Sequence, residues 1–153
     1  MSNNRPIEEA RQSLTAHAAA KGAEIRAKYG PKIGWEEIRR ILNDRECVRY
    51  PCTLAFDAKP LLPGEFAHPV AHGERPEDGF TLYLHPAFEH RSHALPYLVL
   101  YQLVLVNYGE FASSDDAEVF GASALGLTQE AYYRAVCRMA DEVAVLSPSG
   151  TEA

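Results

Sequence analysis

The stretch Ala94–Gly109, ALPYLVLYQLVLVNYG, decides the fold because it is the longest apolar run in the chain. Only two amide side chains, Gln102 and Asn107, interrupt it. Apolar residues fall on every face without a polar stripe, which predicts a helix surrounded by protein. Pro96 suits its first turn, and Gly109 suits the position just after its end. At roughly 15 residues the helix is too short to span a bilayer, which needs about 20.

Two helices are predicted before this stretch. The first covers Pro6–Tyr29, is rich in alanine and ends at Gly30-Pro31. The second covers Trp35–Asn43. Because the apolar stripe of the first helix is thin, we expect residues 1–30 to form a semi-detached helix that docks weakly or pairs with another copy of the chain.

The middle of the chain predicts a small sheet of about three strands. In Cys52–Ala58 the apolar residues Leu54 and Phe56 alternate with smaller or polar ones, as they do in a half-buried strand. Phe80–His85 shows the same alternation, and Pro86 ends it. Glu65–Val70 is predicted as a second, irregular strand.

Three helices are predicted in the C-terminal half, beginning with the central helix itself. Ser114–Leu125 follows, with Ser113 or Ser114 as its cap and Gly126 as its stop. Gln129–Leu146 is the last, and residues 147–153 are expected to be a frayed tail. The order of elements predicts one α+β domain over residues 1–153.

Charge is divided unevenly along the chain. Residues 1–50 hold 10 Lys and Arg against 7 Asp and Glu, whereas residues 51–153 hold 5 against 14. The part that contains the central helix is therefore acidic. Since an acidic surface repels a phosphate backbone, we do not expect this part to bind nucleic acid.

The cysteines and the N-terminus bear on location. Cys47, Cys52 and Cys137 form an odd set without metal-type CxxC spacing, which favours buried thiols in a reducing compartment. No apolar segment typical of a signal peptide follows Met1–Pro6. We therefore expect a cytoplasmic protein with no membrane partner.

A strand, an apolar helix and a segment with small residues succeed one another in Phe80–His85, Ala94–Tyr108 and Asp115–Leu127 (DDAEVFGASALGL). This order resembles the core of the zincin metallopeptidases, particularly the small cytoplasmic kind. In that family an edge strand leads into a helix that carries HExxH, and the next helix supplies a glutamate ligand. The resemblance implies a zincin-like fold over about a third of the chain, with packing residues Ala117, Phe120 and Ala122.

The residues that this family uses for catalysis are replaced. The segment Tyr101–Leu105, YQLVL, takes the place of HExxH. Tyr101 and Leu105 have the spacing of the two zinc-binding histidines without their imidazoles, and Gln102 cannot take a proton as glutamate does. Glu118, or Asp115 one turn earlier, stands where the third ligand would. Either the fold is zincin-like and has lost its metal, or the resemblance is one of packing only.

A lost metal site makes a geometric prediction. Tyr101, Leu105 and Glu118 should then lie within contact distance of each other. Gln102 should point into the groove beside the strand Phe80–His85 and form a hydrogen bond to a groove residue such as Glu118, since an unpaired buried amide costs about 1–3 kcal/mol.

Histidines provide an alternative metal site. Five of the six lie between residues 68 and 93, and His90 and His93 are three residues apart. A metal-dependent hydrolase using His85, His90 and His93 together with Glu89 is therefore a second hypothesis. His68 and His72 lack the helical geometry for a shared metal because Pro69 lies between them.

The last two helices allow a third hypothesis, DNA binding by a helix-turn-helix. Ala122 and Gly126 have the four-residue spacing of that motif, and Thr128 opens the second helix. The second helix offers Arg134 and Arg138 but also the acidic residues Glu130, Asp141 and Glu142, which a recognition helix should not have.

The sequence thus favours a non-catalytic, cytoplasmic protein with a zincin-like core, no cofactor and a degenerate site at Tyr101, Gln102, Leu105 and Glu118. Its expected role is binding or regulation, with a protein or small molecule as the partner. A homo-oligomer formed through the N-terminal helix is a further expectation.

Overall fold

The computed structural model describes residues 5–146, which form five α-helices and one three-stranded sheet. The helices are α1 (Arg5–Tyr29), α2 (Trp35–Leu42), α3 (Leu95–Tyr108), α4 (Ser114–Leu125) and α5 (Gln129–Leu146). The strands are β1 (Cys52–Phe56), β2 (Ala67–Ala71) and β3 (Phe80–Leu84). The predicted α+β class and the order of elements are confirmed. The tail assigned to residues 147–153 lies outside the described residues.

The predicted central helix is α3, and it contacts α2, α4, α5, β2 and β3. Leu98, Leu100 and Leu103 on it are completely buried. Pro96 lies in its first turn, and Gly109 follows it with a positive φ of 65° that favours glycine. Because burying a leucine contributes about 1.5–3 kcal/mol, α3 is the largest single contributor to the core. Among residues 5–146, no helix is both long and apolar enough to cross a membrane.

The sheet has the order β1-β3-β2. β1 runs parallel to β3, with Leu54 beside Leu82, and β2 runs antiparallel to β3, with Pro69 beside Leu82. The side chains of Leu82 and Leu84 are completely buried on the face that packs on α3. The strand Phe80–His85, which the family resemblance treats as an edge strand, is therefore the central strand, and the edge next to α3 is β2.

α1 packs closely against α4, which differs from the expectation of a semi-detached helix. Ala18 is completely buried, and a side chain at Gly22 would collide with the backbone of α4. Thr15 Oγ1 donates a hydrogen bond of 2.6 Å to Asp116 Oδ1 on α4. The stripe looks thin in the sequence because Ala18 and Gly22 are small, and these two residues allow the helices to approach closely.

Side-chain hydrogen bonds hold both ends of the connection between α2 and β1. Near its start, the Asp44 carboxylate accepts hydrogen bonds from Lys28 Nζ at 2.6 Å and from the Tyr29 hydroxyl at 2.7 Å. These two hydrogen bonds, of which the one from Lys28 has the larger effect, hold the pKa of the Asp44 carboxyl well below its usual range. Near its end, the side chain of Asn107 on α3 bonds to the backbone of Cys47 and Arg49. This connection therefore holds α1 and α3 in place relative to the sheet.

Candidate functional site around Tyr101

One face of α3 is less buried than the others, and it carries Tyr97, Tyr101, Leu105 and Tyr108. Residues three or four positions apart lie on the same side of a helix, so these four form a continuous stripe. Leu105 is 37% exposed and the three tyrosines are half-buried. A ligand that reaches the central helix therefore meets this stripe first.

Tyr101 occupies the middle of the stripe. Its ring meets the ring of Phe66, just before β2, edge to face at a centroid distance of 6.0 Å. Burial raises the pKa of the Tyr101 hydroxyl, and the nearby Glu118 carboxylate raises it further. The phenol is therefore neutral at physiological pH and is available both to donate and to accept a hydrogen bond.

Glu118 brings a carboxylate to this phenol from α4. Its side chain is buried, with a relative exposure of 9%. Gln129, the first residue of α5, donates from Nε2 to Glu118 Oε1 at 3.0 Å and to Asp115 Oδ1 at 3.3 Å. One amide thus orients the two carboxylates that the sequence offers as alternatives for a third metal ligand.

α5 closes the site with two tyrosines that have different roles. Tyr132 is completely buried, donates a hydrogen bond of 2.7 Å to the Tyr97 carbonyl and stacks on the Tyr97 ring at 5.8 Å. It lies directly against Gly121 of α4, where any larger side chain would collide with its ring. Tyr133 is 49% exposed, and a hydrogen bond with Cys137 raises the pKa of its hydroxyl. Tyr132 is therefore structural, whereas Tyr133 lies on the surface near Tyr101.

Gln102 does not form the hydrogen bond predicted for it. The Glu118 carboxylate is bonded to Gln129 instead, and no described residue forms a hydrogen bond with the Gln102 side chain. Gln102 is only 6% exposed, yet the described part of the chain contains no fully buried side-chain polar atom without a partner. The Gln102 amide therefore retains a small contact with solvent.

Leu105 continues the stripe into a groove at the end of α3. The groove has a volume of about 480 Å³ and is lined by apolar side chains that include Leu14, Phe80 and Phe111, with Arg49 at its rim. Phe111 is 89% exposed. An apolar groove therefore lies one helical turn from Tyr101, on the side of Leu105.

The histidine hypothesis lacks structural support. His85 is half-buried at the end of β3, where Nδ1 accepts a hydrogen bond from the Ala87 backbone and burial lowers the pKa of the ring. His90 and His93 are exposed. Within residues 5–146 no three His, Cys, Asp or Glu side chains come together in an arrangement that could hold a metal ion. The set His85, His90, His93 and Glu89 is therefore not assembled.

The C-terminal helix pair has the predicted bounds, but its cations are partly neutralised. Arg134 Nη2 lies 2.5 Å from Glu130 Oε2 one turn away on the same helix. Gly126 ends α4 in the left-handed conformation, and the Thr128 hydroxyl accepts from the Ala131 backbone to open α5. The sharp turn that suggested a helix-turn-helix is therefore explained by these caps.

Comparisons with known proteins provide no relative of the chain. It matches no model of a protein family, and no curated protein or solved structure matches it. The case for a function consequently depends on the geometry around Tyr101.

Three contributors to this site were missed by the sequence reasoning: Phe66, Gln129 and Tyr133. The contact of Gln129 with α4 could have been suspected from the sequence. Gln129 is the first residue of α5, and only a three-residue turn separates α5 from α4, so its side chain is able to reach back to α4. Phe66 and Tyr133 come from distant segments, and no local pattern places them near α3.

Proposed function

We propose that this chain is a non-catalytic binding protein with a zincin-like core, acting in the cytoplasm, whose ligand site is centred on Tyr101 and Glu118. The observation that carries the proposal is a buried carboxylate on α4, Glu118, which Gln129 orients by a hydrogen bond of 3.0 Å, near the half-buried phenol of Tyr101 on α3. If the family resemblance is followed, α3 and α4 correspond to the two helices that hold the metal in a zincin. A carboxylate accepts hydrogen bonds and a phenol both accepts and donates them, so the two groups together recognise a hydrogen-bond donor.

The chemistry of the pair favours a cationic ligand. The region from residue 51 onward carries a large excess of acidic residues, and Asp115 adds a second carboxylate beside Glu118. A Lys or Arg side chain of a partner protein can donate to Glu118 and to the phenol oxygen at once. Leu105 and the apolar groove next to it suit the aliphatic part of such a side chain or an adjacent apolar residue.

The ligand class is tested by titrating the protein with a short arginine-containing peptide and following backbone amide shifts by NMR. We expect shifts centred on Tyr101, Glu118 and Gln129, and Glu118→Gln should weaken binding by about tenfold or more because a charge-assisted hydrogen bond is lost. Glu130→Gln is the matched control, since that residue is exposed and pairs with Arg134. Equal effects of the two substitutions would contradict a site at Glu118.

The metal question has its own experiment. We expect the purified protein to hold no stoichiometric zinc, and we expect the triple variant Tyr101→His, Gln102→Glu, Leu105→His to gain zinc affinity, measured by calorimetry and elemental analysis. Adding Glu118→Gln to that variant should reduce the gain. A zinc ion in the natural protein that is lost on His90→Ala or His93→Ala would overturn the proposal in favour of a hydrolase.

A further inference from the structure

The two outer edges of the sheet differ in what they offer to another strand. Two hydrogen bonds at the ends of β2 show which of its residues bond to β3. His85 N donates to Phe66 O at 2.8 Å, and His72 N donates to Gly79 O at 2.9 Å. Because bonding alternates along an antiparallel ladder, the backbone groups of Ala67, Pro69 and Ala71 point away from the sheet. Proline has no N–H, so the centre of this edge cannot donate to a further strand.

β1 presents its edge without such protection. Phe80 N donates to Pro51 O at 2.8 Å and Asp57 N to Leu84 O at 3.1 Å, so the odd-numbered residues of β1 bond to β3. The N–H and C=O groups of Cys52, Leu54 and Phe56 therefore point outward, and no described residue bonds to them. Proteins normally protect such an edge with proline, charge or a covering element.

We propose that this edge pairs with β1 of a second copy of the chain, antiparallel and with Leu54 on the two-fold axis. The outward groups are symmetric about Leu54, so two copies place Cys52 opposite the second copy's Phe56, and Leu54 opposite its counterpart. Each of the three opposed pairs exchanges two hydrogen bonds, as hydrogen-bonded pairs do in an antiparallel ladder. An isologous interface of this kind is self-complementary by construction.

The chemistry of the strand favours a copy of itself. The segment Tyr50–Phe56 contains no Asp, Glu, Lys or Arg, so two such edges approach without repulsion between strand side chains. Leu54 and Phe56 are only half-buried in the single chain. Pairing covers the exposed parts of these side chains and joins two three-stranded sheets into one of six strands.

This dimer differs from one formed through the N-terminal helix, because α1 is already packed against α4. It is also separate from the part of the ligand site at Tyr101 and Glu118, since β1 lies on the other side of β3 from β2 and Phe66. The two proposals can therefore fail separately.

The first test measures mass by sedimentation equilibrium from roughly 1 µM to 1 mM, because small interfaces associate weakly. We expect a monomer–dimer equilibrium that Leu54→Pro weakens by about tenfold or more, through loss of both hydrogen bonds at the axis. Pro69 already occupies the equivalent outward position in β2, so the sheet accommodates such a proline. Ala71→Pro, at an outward position of the other edge, is the matched control and should leave the dimer unchanged.

A second pair of variants keeps the test valid if Leu54→Pro does not fold. In the proposed register Thr53, which is exposed, faces Ala55 of the second copy. Thr53→Lys with Ala55→Lys should then abolish the dimer through opposed like charges, whereas Thr53→Lys with Ala55→Glu should preserve it. A monomer at every concentration, or a dimer that tolerates the double-lysine variant, would overturn the proposal.

Discussion

Two amides in the same helix, Gln102 and Asn107, look alike in the sequence and behave differently in the structure. Both are buried, with relative exposures of 6% and 5%. Asn107 donates to the Cys47 carbonyl at 3.0 Å and accepts from the Arg49 N–H at 2.8 Å. Gln102 has no hydrogen-bonding partner among the described residues. A polar residue in an apolar helix is thus structural in one case and a candidate for ligand binding in the other.

The difference between the two amides can be measured against an apolar residue on the same helix. Leu100 is completely buried on α3. We expect Leu100→Ala to lower the free energy of unfolding by about 2–5 kcal/mol, since it leaves a cavity in the packed core. Urea denaturation measures this change, and a cost well below 1 kcal/mol would mean that the face is exposed.

Replacing Asn107 should also lower the free energy of unfolding clearly, though by less than Leu100→Ala. Asn107→Leu keeps the approximate shape but leaves the Cys47 carbonyl and the Arg49 N–H without their partners. We expect a loss of roughly 1–3 kcal/mol in the free energy of unfolding, which is the cost of one unsatisfied buried group, because the Cys47 carbonyl is buried whereas the Arg49 N–H is only partly buried. If the variant were as stable as the parent, the position of the connection between α2 and β1 would not depend on the Asn107 amide.

Gln102 should contribute little to stability. Gln102→Met replaces it with an apolar side chain of similar size, and we expect the free energy of unfolding to change by less than about 1 kcal/mol. The same variant should bind the arginine peptide more weakly if the amide belongs to the ligand site. A large loss of stability would place Gln102 with Asn107 as a structural residue and remove it from the site.

The smallest effect is expected from acid, and it concerns Asp44, which lies at the other end of the connection between α2 and β1. The pKa of Asp44 is lowered in the folded protein by Lys28 and Tyr29, so its stabilising contribution is complete above the unfolded value of about 3.9 and is lost as the pH falls below it. We expect Asp44→Asn to reduce the pH dependence of stability between about pH 5 and 3, where such a carboxylate is protonated on unfolding.

A thermal melting series over this pH range compares Asp44→Asn with Asn107→Leu. Asn107 does not titrate, so its variant should keep the full acid dependence of the parent. Parallel curves for the parent and Asp44→Asn would show that the pair Lys28 and Asp44 is too exposed to contribute.

The parts of the fold that local chemistry determines were predictable. α4 and α5 begin and end where predicted, because Ser113 and Asp116 cap the first and Gly126 and Thr128 separate the two. The strands were less accurate: the second was predicted at Glu65–Val70 and forms at Ala67–Ala71. Proline in an edge strand weakens the alternation that marks its ends.

The pairing of the strands was not predictable, since no local pattern tells β1 to run parallel to β3. The family resemblance consequently gave Phe80–His85 the wrong place in the sheet. The prediction that Tyr101 lies near Glu118 came from the family resemblance, whereas the bond from Gln129 to Glu118 depends on how α5 returns across α4. Long-range geometry of this kind is not encoded in the periodicity of one element.

The hydrogen bond between Thr15 and Asp116 joins residues 101 positions apart, and this spacing has a consequence for synthesis. At ribosomal rates of about 5–20 residues per second, α1 is complete roughly 5–20 seconds before the face of α4 that covers it exists. The face of α1 that packs on α4 is therefore exposed to solvent during this interval, and its final packing is among the last events as the chain matures.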